Sequence, residues 1–256
     1  MFILYNAPQS TCSQKVRLVL VEKALAFEEV KLNLFKGDQL TAEYMQINPN
    51  GVVPSLDHDG KIIIDSSVII EYLDESFPDT RLRPDSPAGL ADMRTWMRFF
   101  EEVPTPAVRV PSYNRVFLQH YSSLSNEEFM AIAEQKTLRK DFFLKMGRTG
   151  YSTEEMKKSL NQIRMTVERM EENLQDKSSW LLGEQYTLAD ICVLPCFVRM
   201  NDIGYASLWA DAPKVAAWIE RSVNRENYFS AYYHGSLLSE KYPDVDLSPV
   251  AQPGVL

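Results

Sequence analysis

The sequence predicts a small mixed α/β domain followed by an all-helical domain. Three observations carry this. Strand-like apolar runs alternate with helical patterns over the first 76 residues. Two β-branched runs, Val52-Val53 and Ile62-Ile63-Ile64, flank Asp59-Gly60, a pair suited to a tight hairpin turn. From residue 88 onward apolar residues recur every three or four positions, the period of a packed helix. The expected division is residues 1–78 for the α/β domain, 79–87 for a proline-containing linker and 88–256 for the helical domain.

Residues 1–5 read as a buried strand and Asn6-Ala7-Pro8-Gln9 as the loop after it. Ser10, Thr11 and Ser13 are N-cap candidates for a helix carrying Val16, Leu18, Val19 and Leu20 and ending near Lys23. Residues 27–32 alternate as a strand should, and 41–47 form a short helix leading to Asn48-Pro49. Pro54 offers no ladder donor, so it belongs at the opening of a strand, and a cis Val53–Pro54 bond fits that place. A turn of that kind would leave the Val53 backbone free to pair with an extended peptide. A third helix begins at Ser66.

In the second half, Leu90, Met93, Trp96, Met97 and Phe100 share one helical face, and Pro104, Pro106 and Pro111 interrupt the helical pattern after it. Ser125-Asn126-Glu127-Glu128 and Ser152-Thr153-Glu154-Glu155 read as capping boxes. Thr187-Leu188-Ala189-Asp190 is a third, opening an apolar helix expected at the centre of the domain. Pro213 is expected at the first position of a further helix, and the tail after Tyr242 is expected to be irregular.

Of the 256 residues 45% are hydrophobic and 24% charged, which is ordinary globular composition. The formal charge is −8 with acids and bases interspersed, so no basic patch for nucleic acid is expected. No apolar run is long enough to span a bilayer, and the start of the chain lacks the pattern of a signal peptide. Cys12, Cys192 and Cys196 give neither a disulfide framework nor paired zinc ligands, so a reducing, cytoplasmic setting without a metal is expected.

In order, the strand 1–5, Ser10-Thr11-Cys12-Ser13-Gln14-Lys15-Val16-Arg17, Val53-Pro54 and Asp65-Ser66-Ser67 resemble the thioredoxin-like half of a glutathione transferase. The resemblance covers most of the chain. It implies a glutathione-binding enzyme, a hydrophobic electrophile as second substrate, and a homodimer through the helices at 66–77 and 88–103. Ser10-Thr11-Cys12-Ser13 is similar to the motif of zeta-class enzymes, whose first serine is catalytic and corresponds to Ser10. Beta-class enzymes and reductive dehalogenases carry a cysteine at the position of Cys12, and lignin β-etherases a serine matching Ser13. All three residues therefore stand as candidates to face the sulfur. Cys12 could also form a mixed disulfide, although no second cysteine lies three residues away to resolve it.

The resemblance further implies that Val53, set by Pro54, pairs with the cysteinyl part of glutathione. Asp65 and Ser66 would hold the γ-glutamyl end, and Gln39 would contact the glycine end. Glu or Gln is commoner where this chain has Asp65, and Asp65-Ser66 also reads as a plain helix cap. For the electrophile, Trp96, Arg109 and Tyr113 are candidates, together with Phe100, Arg115 and His120.

The stretches Leu56-Asp57-His58-Asp59-Gly60-Lys61 and Tyr186-Thr187-Leu188-Ala189-Asp190-Ile191-Cys192, with the long segment between Pro104 and Tyr151, are similar to bacterial lignin β-etherases. The implied reaction is attack of the glutathione sulfur on the carbon bearing an aryloxy group. Zeta-like isomerisation or reductive dehalogenation is the first alternative, and a non-catalytic carrier of hydrophobic ligands on the same fold is the second.

Overall fold

The computed structural model describes residues 1–174 and 179–250. Its first part contains β1 (Phe2–Asn6), α1 (Thr11–Glu22), β2 (Phe27–Lys31), α2 (Ala42–Ile47), β3 (Ser55–His58), β4 (Lys61–Ile64) and α3 (Ser66–Ser76). The sheet order is β2-β1-β3-β4. β1 and β2 run parallel, which requires a crossover, and α1 supplies it. β3 is antiparallel to both β1 and β4. Leu4 stands opposite Leu56, and Leu56 opposite Ile63. Directly opposed residues share a face, and this row joins Val16 and Ile69 in the buried core. Asp59 (φ 51°) and Gly60 (φ 87°) both turn left-handed, the geometry a two-residue hairpin loop demands.

The helical part is α4 (Pro87–Glu102), α5 (Pro104–Ala107), α6 (Arg109–Arg115), α7 (Asn126–Glu134), α8 (Lys140–Met146), α9 (Thr153–Asn173), α10 (Leu188–Asp202), α11 (Pro213–Val223), α12 (Tyr228–Ala231) and α13 (Leu238–Lys241). α4 starts at Pro87, inside the expected linker, because Ser86 caps the Gly89 N–H at 3.0 Å and proline suits the first helical position. The prolines break the next stretch into the short helices α5 and α6. Ser125 and Glu128 exchange both bonds of a capping box, at 3.2 and 2.7 Å. Pro213 opens α11. Residues 243–250 are irregular, and the rest of the tail lies outside the described residues.

α10 is the hub. Nearly all of it is buried, and it packs on α1 and α4. Asp190 near its start accepts hydrogen bonds from the Thr187 N–H and hydroxyl, both at 3.0 Å, from the Leu181 N–H at 3.0 Å and from the Trp218 indole at 2.9 Å. The connection between α3 and α4 is pinned as well. Asp74 accepts from Lys23 Nζ at 2.8 Å and from the Leu82 N–H at 2.9 Å, and the Leu82 carbonyl accepts from the Leu188 N–H at 2.8 Å. The two parts are thereby joined along a buried seam, and the C-terminal end of α1 is pinned to it through Lys23.

Candidate active site

A cleft of about 690 Å³ opens above the start of α1. One wall is the loop before α1 with its first turn, the 31–39 loop and the turn at 50–53. The other is α6, the turn Phe117–His120 and residues 136–143. The second wall has its own apolar support, in which Tyr121, Phe129, Phe143 and Met146 are buried together. Thr137 Oγ1 donates to the Asn50 carbonyl, so the two walls touch at one end.

Ser10 is the N-cap of α1, its Oγ accepting from the Ser13 N–H at 3.3 Å. Because the oxygen is the acceptor in that bond, the hydroxyl proton is free to donate to an anion at the helix end. Ser10, Thr11 and Cys12 all line the cleft. Ser13 does not. It is fully buried, and its Oγ accepts from the Ala7 N–H at 3.4 Å. Its place in the first turn points it under the loop, so it braces the loop and cannot face a sulfur. Thr11, legible in the sequence only as a capping candidate, presents a second hydroxyl.

The loop is held from behind by buried cations. Arg17 donates to Asn6 Oδ1 at 2.8 Å, to the Pro8 carbonyl at 2.9 Å and to the Ala231 carbonyl at 2.8 Å. Arg199 from α10 donates to the Gln9 carbonyl. Deeper still, Lys15 pairs with Glu101, which also accepts from Ser67 Oγ at 2.8 Å and from Cys192 Sγ at 3.3 Å. Burial works against the Glu101 charge, but Lys15 and the hydrogen bonds from Ser67 and Cys192 together outweigh it and hold the carboxyl below its ordinary value. Cys192 and Cys196 are buried beside this pair, and burial pushes both thiols up, Cys196 to about 11. Both are packing residues.

The Val53–Pro54 bond is cis, as expected. Val53 lines the cleft, and neither its N–H nor its C=O takes a hydrogen bond among the described residues. Two main-chain groups are therefore available to an extended peptide. Gln39 is buried in the same wall. Its Nε2 donates to the Leu34 carbonyl at 3.4 Å, while its Oε1 has no partner among the described residues. A buried amide oxygen left unpaired costs about 1–3 kcal/mol, which an N–H from a bound molecule would recover.

Asp65 and Ser66 are not in the walls of this cleft. Asp65 has φ 71°, and its Oδ1 caps α3 by accepting from the Ser67 and Val68 N–H groups at 2.9 and 3.2 Å. The capping reading of this residue thus holds. Asp65 Oδ2 and the Ser66 hydroxyl have no partner among the described residues. The register sets Ser55 opposite Ile64, so one more step along each strand brings Pro54 beside Asp65. The Asp65-Ser66 corner is therefore the neighbour of the Val53 end.

On the second wall, Arg109, Tyr113 and His120 line the cleft. Trp96 does not: it is 8% exposed, stacks on the buried Phe100 at 5.2 Å and lies under the Arg169 guanidinium. A helix whose apolar face is core carries its largest rings inward, and Trp96 and Phe100 follow that rule. Arg115 also belongs elsewhere, donating to the carbonyls of Ile203 at 2.7 Å and Asp246 at 2.8 Å. Sequence reasoning misses Phe35, Lys136 and Arg139. Phe35, from the first wall, stacks on His120 at 3.9 Å and bridges the cleft. Burial, and then the nearby Arg139, push Lys136 down to about 8. Burial, and then Arg109, lower Arg139. The Tyr113 phenol is raised by burial.

Residues 4–81 match the family described as "Glutathione S-transferase, N-terminal domain", and residues 152–221 match "Glutathione S-transferase, C-terminal domain". Protein LigF of Sphingobium sp. strain SYK-6 is 33% identical over 85% of this chain and 88% of its own length. The crystal structure of the β-etherase LigF from that organism superimposes with a TM-score of 0.80, at 28% identity, over 90% of this chain and 98% of that one. Maleylacetoacetate isomerase of Mus musculus is 43% identical over 94 residues, 36% of this chain and 44% of that protein. The matched α/β part carries the α1 start, Gln39 and Val53, and the matched helical part carries α10. This chain belongs to the glutathione S-transferase family.

Proposed function

We propose that the protein binds glutathione along Val53 and Gln39, ionises its thiol at the start of α1, and directs the sulfur at a hydrophobic aromatic electrophile held under α6. The observation that carries this reading is the meeting of three features in one cleft: an N-cap hydroxyl with its proton free, an unpaired peptide segment at Val53, and an aromatic opposite wall. The helix amides and the Ser10 hydroxyl favour a thiolate over a thiol. Val53 pairs with the cysteinyl main chain, Gln39 Oε1 takes an N–H near the glycine end, and Asp65 with Ser66 takes the γ-glutamyl ammonium and carboxylate. We assign the sulfur-facing role to Ser10.

The reaction that fits best is β-aryl ether cleavage. The thiolate forms a bond to the carbon bearing the aryloxy group, the C–O bond breaks, and its electron pair leaves on the phenolate oxygen. LigF, similar over most of its length and named a β-etherase, supports this choice. Purified protein with glutathione and a panel of β-aryl ethers is expected to release the phenol and accumulate the thioether. Failure across the panel, with glutathione still bound, would remove the ether assignment and leave glutathione transfer.

A zeta-like isomerisation or dehalogenation is favoured by a separate observation, the similarity to maleylacetoacetate isomerase together with Cys12 standing in the cleft. In that case Cys12→Ser would abolish turnover and trap a glutathione adduct.

A further inference from the structure

We propose that the electrophile is an anion: an aromatic compound bearing a carboxylate, which the Arg109 and Arg139 guanidinium groups hold on the wall facing the sulfur. This rests on the glutathione reading above and narrows its second substrate.

Among the described residues, seven Lys and Arg side chains line the cleft, and not one Asp or Glu does. The whole chain carries a formal charge of −8, so this is a local reversal of sign. Charges that are interspersed along the sequence are gathered here by folding. Such a cavity raises the local concentration of anions and favours their entry.

The individual cations are not equivalent. Two buried guanidiniums are satisfied by the protein itself: Arg17 behind the loop by carbonyls and Asn6, and Arg199 at the cleft by the Gln9 carbonyl and Ser112 Oγ. Arg109 and Arg139 both line the cleft and have no hydrogen bond and no carboxylate partner for their guanidiniums among the described residues, and Arg109 adds to burial in disfavouring the Arg139 charge. Two partly desolvated like charges facing one space are unfavourable until an anion joins them. A planar carboxylate matches the guanidinium fork in shape and in charge. The Tyr113 ring stands in the same wall and packs edge-on against both Phe117 and Phe143, so a benzoate-like group would find both its face and its charge accommodated.

Both arginines lie between the two matched segments, 4–81 and 152–221. The parts that hold the tripeptide lie inside the first of these. The pair thus sits on the wall facing the second substrate, and not on the wall of the co-substrate.

The test is isothermal titration with two glutathione conjugates that differ only in the acceptor part, S-benzylglutathione and S-(4-carboxybenzyl)glutathione. The carboxylated conjugate is expected to bind at least about 10-fold tighter, the scale of a charge-assisted hydrogen bond. In Arg109→Gln and Arg139→Gln the ratio of the two affinities is expected to fall towards one, and in Arg139→Lys most of it should return. A ratio of dissociation constants does not depend on what fraction of a variant is folded, so poor folding cannot imitate the result. Equal affinities in the unmodified protein would overturn the proposal alone. So would equal weakening of both conjugates in the Gln variants, because the arginines would then serve the peptide. If neither conjugate bound, the glutathione reading itself would fall and take this proposal with it.

Discussion

The Arg17 guanidinium, fully buried, donates to Asn6 Oδ1 at 2.8 Å and so ties α1 to the end of β1. The same group reaches the Pro8 and Ala231 carbonyls, which makes it the rear support of the loop carrying Ser10. Arg17→Met keeps much of the volume and removes every one of these bonds. It is expected to destabilise the fold by about 3–5 kcal/mol, since several buried acceptors lose their donor together. Denaturant unfolding measures this.

Ser10→Ala removes the free hydroxyl and the cap at once. Stability should fall by about 1 kcal/mol, and turnover with any accepted electrophile by a factor on the order of 10². Ser13→Ala should also lower stability, but its effect on turnover should be far smaller, because Ser13 lies beneath the loop. Steady-state kinetics of the two variants, corrected for folded fraction, separate cap from catalyst.

Gln39→Met exchanges a side chain with one unpaired buried atom for an apolar one of similar length. Thermal stability is expected to stay equal or to rise. Glutathione affinity is expected to drop about 3–10-fold, the value of one neutral hydrogen bond. A variant less stable but unchanged in affinity would mean that Gln39 serves only the loop.

Lys136 gives the cleft a pH dependence. Its ammonium is pushed down to about 8 by burial and by Arg139. An anion bound nearby favours the charged form, so the bound state holds more protons than the free state. Affinity for an anionic conjugate should therefore be full below pH 8 and decline as pH rises above it, with proton uptake on binding near pH 8. Titration in buffers of different ionisation enthalpy detects that uptake, and Lys136→Met should abolish it.

Asp190→Asn tests the hub of the helical part. The carboxylate accepts from four donors, and the amide can accept at only one of its two positions. A loss of about 2–4 kcal/mol is expected. Because Asp190 does not line the cleft and its four donors all belong to the helical part, activity per folded molecule should be retained.

Much of this is legible in the chain itself. Pro54 after two valines marks a strand opening, and Asp59-Gly60 marks the hairpin, because each residue restricts the backbone in one particular way. The capping boxes are legible for the same reason. Trp96 misleads because an aromatic on a helix face looks alike whether the face meets a cleft or the core. Ser13 misleads because a rotation of about 100° per residue decides which of three neighbouring polar side chains turns under the loop. Arg139 and Lys136 give no signal, since nothing local reports that residues far apart in sequence converge with Arg109 on one wall. The clustering of positive charge is a property of the folded surface, and an interspersed sequence hides it.

The most direct measurement is an ultraviolet titration of the glutathione thiol in its complex with the unmodified protein. Bound at the start of α1 beside Ser10, the thiol is expected to ionise at least about one pH unit below the ordinary value of a free cysteine thiol. A bound thiol that titrated where free glutathione does would contradict the assignment of this cleft as the place where the sulfur is activated.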